Sequence, residues 1–181
     1  MASQNTHLHN QFINTQVITR NTKKKLGVVK ELLVDIDRRE VVALGLQNRT
    51  LSVPGMPKYI FLDSISNSGD VILVEDEDVI EDIDSNAYSK LINCEVMTET
   101  GEPLGRVRDF QFDGDQGMIS FLIISSINLP QILVPLLSTY KISIEEVILI
   151  TGLNILILFE GAEDRINQVT IGLLERLGII N

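Results

Sequence analysis

Leu26-Gly27-Val28-Val29-Lys30-Glu31-Leu32-Leu33-Val34-Asp35 returns later in the chain as Leu104-Gly105-Arg106-Val107-Arg108-Asp109-Phe110-Gln111-Phe112-Asp113. Upstream of it, Ile13-Asn14-Thr15-Gln16-Val17-Ile18-Thr19 returns as Ile92-Asn93-Cys94-Glu95-Val96-Met97-Thr98. The shift is 78 residues in the first pair (Leu26 to Leu104) and 79 in the second (Ile13 to Ile92), so the turn between them differs by one residue. Such a repeat means one β-rich module used twice. Within each copy the apolar positions begin on one parity, at Val29 and Val107. They continue on the other, at Leu32 with Val34 and at Phe110 with Phe112. A flat strand alternates faces with period two and cannot make that change, so a bulge or bend is expected just after the glycine. Gly27 and Gly105 are the candidate bend residues, there for backbone freedom or close packing.

The chain of 181 residues has room for two small domains. Apolar residues make up 44% and aromatics only 5%, with no Trp, so Ile, Leu and Val must fill the cores, a bias that favours strands. The net charge of −10 is unevenly spread: residues 1–74 hold nine Lys/Arg against six Asp/Glu, and residues 75–181 six against nineteen. Binding of free nucleic acid or of an anionic membrane is therefore not expected of the whole protein. A local basic face remains open to the first copy through Arg20, Lys23, Lys24, Lys25 and Lys30. The single cysteine, Cys94, rules out an intramolecular disulfide and reads as a buried thiol in an apolar strand. The N-terminal residues are polar, unlike a signal peptide. The longest apolar stretch, residues 147–159, is too short to span a bilayer, and a soluble, cytoplasmic protein is expected.

The periodicity divides the chain into a disordered tail (1–10), a first repeat (11–75), an acidic linker (76–88), a second repeat (89–159) and a C-terminal helix (160–181). Each repeat should hold about five short strands making a small barrel. The last strands are expected at 71–74 and 147–150, with 155–159 an added strand. The helix would start with Glu163 and Asp164 near its positive end and stop at Gly178. Ile166, Val169, Leu173 and Leu177 form its apolar stripe. Ile171 and Leu174 fall off that stripe and either widen the buried face or are candidates for contact with another chain, a second copy included.

No catalytic constellation emerges. Histidine occurs only at His7 and His9, so Ser-His-acid and Cys-His schemes need the tail to fold back. Phosphate-cradling and dinucleotide glycine patterns are missing. The Asp35/Asp37 and Asp113/Asp115 pairs suit a Mg²⁺ ion or, equally, turn chemistry. The run of seven acids between Glu75 and Asp84 lacks the glycine and closing glutamate of a calcium loop. Neither an enzyme nor a resident metal or cofactor is expected. The more distinctive surface is the loop bearing Leu51, Val53, Pro54, Met56, Pro57 and Tyr59, where two prolines stiffen apolar side chains into a protein-binding edge. Alternatively, Met56 and Tyr59 cap the barrel.

The two Leu-Gly blocks, each preceded by Val-Ile-Thr or Val-Met-Thr and followed by an apolar return strand, resemble the PRC-barrel family. That family is named for the cytoplasmic domain of the photosynthetic reaction-centre H subunit and includes the C-terminal domain of a ribosome maturation factor. The resemblance implies a mainly β fold of two small PRC-type barrels in tandem. It also implies a non-enzymatic adaptor that docks on a larger protein complex, peripheral to photosynthetic membranes. A ribosome- or RNA-associated assembly factor is the alternative it leaves open.

Overall fold

The computed structural model describes residues 5–47, 58–125, 138–150 and 155–178. They form two units. One is Met1–Lys90 with Phe112–Met118, and the other is Leu91–Gln111 with Ile119–Asn181.

The first unit holds β1 (Thr6–Leu8), α1 (His9–Phe12), β2 (Gln16–Thr19), β3 (Lys25–Asp35), β4 (Glu40–Gln47), β5 (Lys58–Phe61), β6 (Ile65–Ser68), β7 (Val71–Val74) and β8 (Ile80–Glu81). Its sheet runs β6-β7-β2-β3-β4-β5-β8, with β2 and β7 parallel. The second unit continues with β9 (Glu95–Thr98), β10 (Pro103–Asp113), β11 (Ile119–Ser125), β12 (Thr139–Ser143), β13 (Val147–Ile150), β14 (Ile155–Leu158), β15 (Asn167–Thr170) and α2 (Leu173–Arg176). Its sheet runs β13-β14-β9-β10-β11-β12-β15, with β9 and β14 parallel. The two orders match strand for strand. The protein is mainly β with two sheets. Among the described residues neither order closes into the expected barrel, since each path has two ends.

This match corrects the expected alignment. The counterpart of β7 is β14, so residues 155–158 are a regular member of the repeat and not an added strand. Val71-Ile72-Leu73-Val74 resembles Val147-Ile148-Leu149-Ile150 in composition, but composition does not choose the partner; parallel pairing to β2 or β9 does. The expected C-terminal helix is also not formed. Ala162–Arg165 is a 3-10 turn, β15 follows, and only Leu173–Arg176 is α-helical. Val169, Thr170, Ile171 and Gly172 are poor helix formers in succession, and β15 pairs onto β12 where β8 pairs onto β5. The acidic linker therefore contains the same closing element, a 3-10 turn at Glu77–Val79 followed by β8. As expected, Gly178 ends the last helical turn, at φ 68, its N–H donating to the Glu175 carbonyl at 3.0 Å. A bidentate Arg165–Glu146 pair, at 2.7 and 2.6 Å, ties the second unit's closing turn to the turn before β13. The Arg165 hydrogen bonds hold the Glu146 carboxyl below its usual range.

The repeated residues do the same work in both units. Asn14 and Asn93 sit at φ 66 and 68, in the left-handed region that asparagine tolerates better than most residues. There their N–H groups donate to the carbonyls of Val29 (2.8 Å) and Val107 (2.9 Å). Thr19 and Thr98 are buried. Their hydroxyl oxygens accept the Lys24 N–H (2.8 Å) and the Glu102 N–H (3.1 Å), closing the turn that follows. Gly27 and Gly105 adopt φ 154 and 148, a region favouring glycine. The bulge lies just before them and not just after, as the parity change suggested: Leu26 and Leu104 are the extra residues against β2 and β9. In β3 a second irregularity, at Lys30 against β4, is where the parity changes and Leu32, Leu33 and Val34 are buried in succession. In β10 the change falls at the consecutive buried residues Asp109 and Phe110.

The expected tail is also corrected from residue 5 onward. β1 pairs with β10, whose last residues Phe112 and Asp113 belong to the first unit. The Gly114 N–H donates to the Asn5 carbonyl at 2.6 Å. Phe12 and Phe112 meet with ring centroids 5.2 Å apart, and His7 stands edge-on to Phe12 at the same distance. The turn after Phe112 is closed by Asp113, whose Oδ1 accepts the N–H groups of Asp115 (2.9 Å) and Gln116 (2.8 Å). Its Gly117 carbonyl accepts the Val41 N–H at 2.8 Å.

Gly117 and Gly101 both have left-handed φ (76 and 84), but a Cβ at Gly117 would lie 2.2 Å from the Val41 carbonyl oxygen while one at Gly101 meets nothing within 4 Å. Gly101→Ala should cost about 1 kcal/mol from backbone conformation alone, and Gly117→Ala at least about 3 kcal/mol. Urea denaturation at neutral pH measures both; equal losses would show that the turn is not seated on β4.

Candidate binding cleft and exposed apolar segment

In the first unit a cleft of about 480 Å³ lies between the N-terminal segment and the β6–β7 turn. His7, Gln11, Phe12 and Thr15 line one side and Ser68, Gly69, Asp70 and Ile72 the other. The folded-back tail brings His7 Nε2 to 3.3 Å from Ser68 Oγ. The Ser-His arrangement that the sequence left to such folding is thus present in outline. Its protons are wrong for catalysis. Asn5 Nδ2 donates to the Asp115 carboxylate at 3.1 Å, which turns Asn5 Oδ1 toward His7 Nε2 at 2.7 Å. An amide oxygen only accepts, so Nε2 carries a hydrogen and cannot take one from Ser68. The geometry fits recognition better than nucleophilic attack.

The paired aspartates are occupied by turn chemistry, Asp35 Oδ1 accepting the Arg38 N–H at 3.0 Å and Asp113 Oδ1 the two amides named above. Among the described residues no three His, Cys, Asp or Glu side chains are placed to hold a metal ion. Part of the basic turn is neutralised: Lys24 Nζ pairs with Glu77 at 2.5 Å, and Asn21 donates to Glu75 at 3.5 Å. In the second unit Arg106 and Arg108 converge on Asn93, donating to its carbonyl (2.7 Å) and its side-chain oxygen (3.1 Å). Burial, and then the Arg106 charge, lower the Arg108 pKa. Cys94 is buried, as its strand pattern implies.

The sequence-derived contact residues divide three ways. Leu51, Val53, Pro54, Met56 and Pro57 lie outside the described residues. Tyr59 is not at a binding edge: it is 1% exposed. Its ring fills the space beside Gly45, its cross-strand partner, and its hydroxyl donates to Glu31 at 3.3 Å. With Leu33 and Ala43 it forms a core cluster onto which Ile83 and Tyr88 pack. Ile171 is 47% exposed, in company with Phe159, Val169, Leu173 and Leu177 at 46–63%. The helical stripe expected to bury Val169, Leu173 and Leu177 thus faces solvent. Leu174 lies in α2, its side chain outside the described residues. What the sequence did not disclose is the cleft, because tail and β6–β7 turn are about 60 residues apart and share no local pattern.

The family model for the PRC-barrel domain matches residues 5–80 and again 83–154. The chain belongs to that family, twice in tandem. The first match includes β1 and the cleft residues; the second ends before β14 and the exposed apolar segment. No curated protein sequence matches the chain. No helix among the described residues is long and apolar enough to cross a membrane.

Burial of His9 lowers its pKa from 6.5 to about 4. Below pH 6.5 the unfolded chain takes up a proton that the folded one refuses, so this contribution is full above 6.5 and is lost as pH falls toward 4. Compared with His9→Gln, the wild type should lose about 2 kcal/mol more between neutral pH and pH 4, read from urea denaturation across pH. Parallel pH profiles would place His9 in solvent.

Proposed function

We propose that this tandem PRC-barrel protein is a non-enzymatic docking module of a larger protein complex. The observation that supports the reading most is the run of exposed apolar side chains, Phe159, Val169, Ile171, Leu173 and Leu177, in the last segment of the second unit. Scattered apolar residues are normal on a surface, but five within nineteen residues beside an end strand of a sheet are a feature of interaction faces. The cleft's Ser-His pair, with its proton on the wrong side, favours recognition over catalysis. Association with photosynthetic complexes rests on the family resemblance alone. An RNA-associated role draws on the basic turn, where Lys24 is already paired with Glu77.

Val169→Asp with Ile171→Asp tests the docking reading, because both side chains are about half exposed and their loss should change stability by less than about 1 kcal/mol. In native extract the wild-type chain should migrate with a large complex on size exclusion, and the double variant as a free chain. Identical profiles for a folded variant, or a wild type that migrates alone, would defeat the proposal.

A further inference from the structure

We propose that the cleft between the N-terminal segment and the β6–β7 turn receives a single guanidinium or ammonium group with its methylene stem. Part of the donor capacity lining the cleft is spent on internal bonds. The Thr15 hydroxyl donates to the Gln11 carbonyl at 2.9 Å, and His7 Nε2–H points at Asn5 Oδ1 at 2.7 Å. Gln11 Oε1 accepts the Leu8 N–H at 2.9 Å, which leaves its amide NH₂ and the Ser68 O–H as the spare side-chain donors. Among the lining side chains the acceptors are the Thr15 and Ser68 oxygens and the Asp70 carboxylate, the one formal charge among them. Asp70 is exposed, and among the described residues no Lys or Arg lines the cleft to neutralise it. Phe12 and Ile72, both buried, give the cleft an apolar floor of the kind against which lysine and arginine stems pack. The volume of about 480 Å³ is more than enough for one such group.

The second unit supplies an independent argument. By strand order, Thr15 corresponds to Cys94 and Ser68 to Ile150. The scaffold is thus built without these polar groups in one copy, so their convergence in the other is not a requirement of the fold. The reading draws on the docking proposal only for where the cation comes from, a side chain of the partner protein; a free small amine carries the same chemistry.

Isothermal titration of the full chain decides it, with agmatine as the free guanidinium and Gly-Arg-Gly as the side chain, each against its uncharged counterpart (the peptide with citrulline in place of arginine). Saturable binding is expected, weakened about ten-fold or more by citrulline and by Asp70→Asn, with a smaller loss for Ser68→Ala. Binding of the peptide alone assigns the site to a protein side chain, and equal binding of agmatine to a small amine; either supports the cleft's chemistry. No heat from either probe at millimolar concentration, or unchanged affinity in a folded Asp70→Asn variant, overturns it. Val169→Asp with Ile171→Asp should leave this binding intact, which separates the failure of this inference from the failure of the docking face.

Discussion

The rest of each unit is arranged around one bent strand, β3 in the first and β10 in the second. Eleven residues long, it begins at a bulge beside a glycine and changes the parity of its buried side chains before it ends. Val29 and Val107 are buried on the early parity, Leu32 with Val34 and Phe110 with Phe112 on the later one. Two features fix the bend from outside the strand. The left-handed asparagine before β2 and β9 delivers its N–H to the early valine. The buried threonine at the end of those strands ties down the turn that feeds back into the glycine. The threonine hydroxyls are buried, and a buried hydroxyl left unpaired costs more than its bond stabilises. Asn and Gly recur for their left-handed or positive φ and Thr for its buried hydroxyl, while the residues between them differ.

On that shared scaffold the two units have acquired different surfaces. The first carries a polar cleft where a folded-back N-terminal segment meets the β6–β7 turn, and it takes in the Phe112–Met118 hairpin of the second repeat. The second carries half-exposed apolar side chains on and around its closing strand. The corresponding closing strand of the first unit, Ile80–Glu81, follows an acidic run and is short, with Ile80 half-buried and the charged Glu81 exposed. Short charged edges discourage pairing with other chains, whereas apolar ones invite cover. The copies thus differ at sheet edges and turns, where the fold places few demands on residue type.

Legibility in the sequence followed the range of the interaction involved. The tandem organisation, the bend at the glycine blocks, the burial of Cys94 and the end of the last helical turn at Gly178 all rest on contacts between near neighbours or on period-two alternation. For Ile171 the sequence left a buried face and an exposed contact equally open, and its 47% exposure was decided by the strand that replaces the expected helix. Tyr59 was not legible, because its burial depends on Gly45 lying opposite it across the strand pair and on Glu31 accepting its hydroxyl. Neither relation has a local signature.

The sequence by itself determined that one β-module is used twice and where its long strand must bend, since parity and glycine placement are properties of consecutive residues. Tertiary structure alone decided which short strand lies beside which. It gave β7 and β14 their parallel partners, turned the expected C-terminal helix into a strand on β12, and brought His7 beside Ser68. Short apolar or polar segments have several acceptable local conformations of similar free energy. An open sheet edge or an unfilled hydrogen bond elsewhere in the chain is what selects among them.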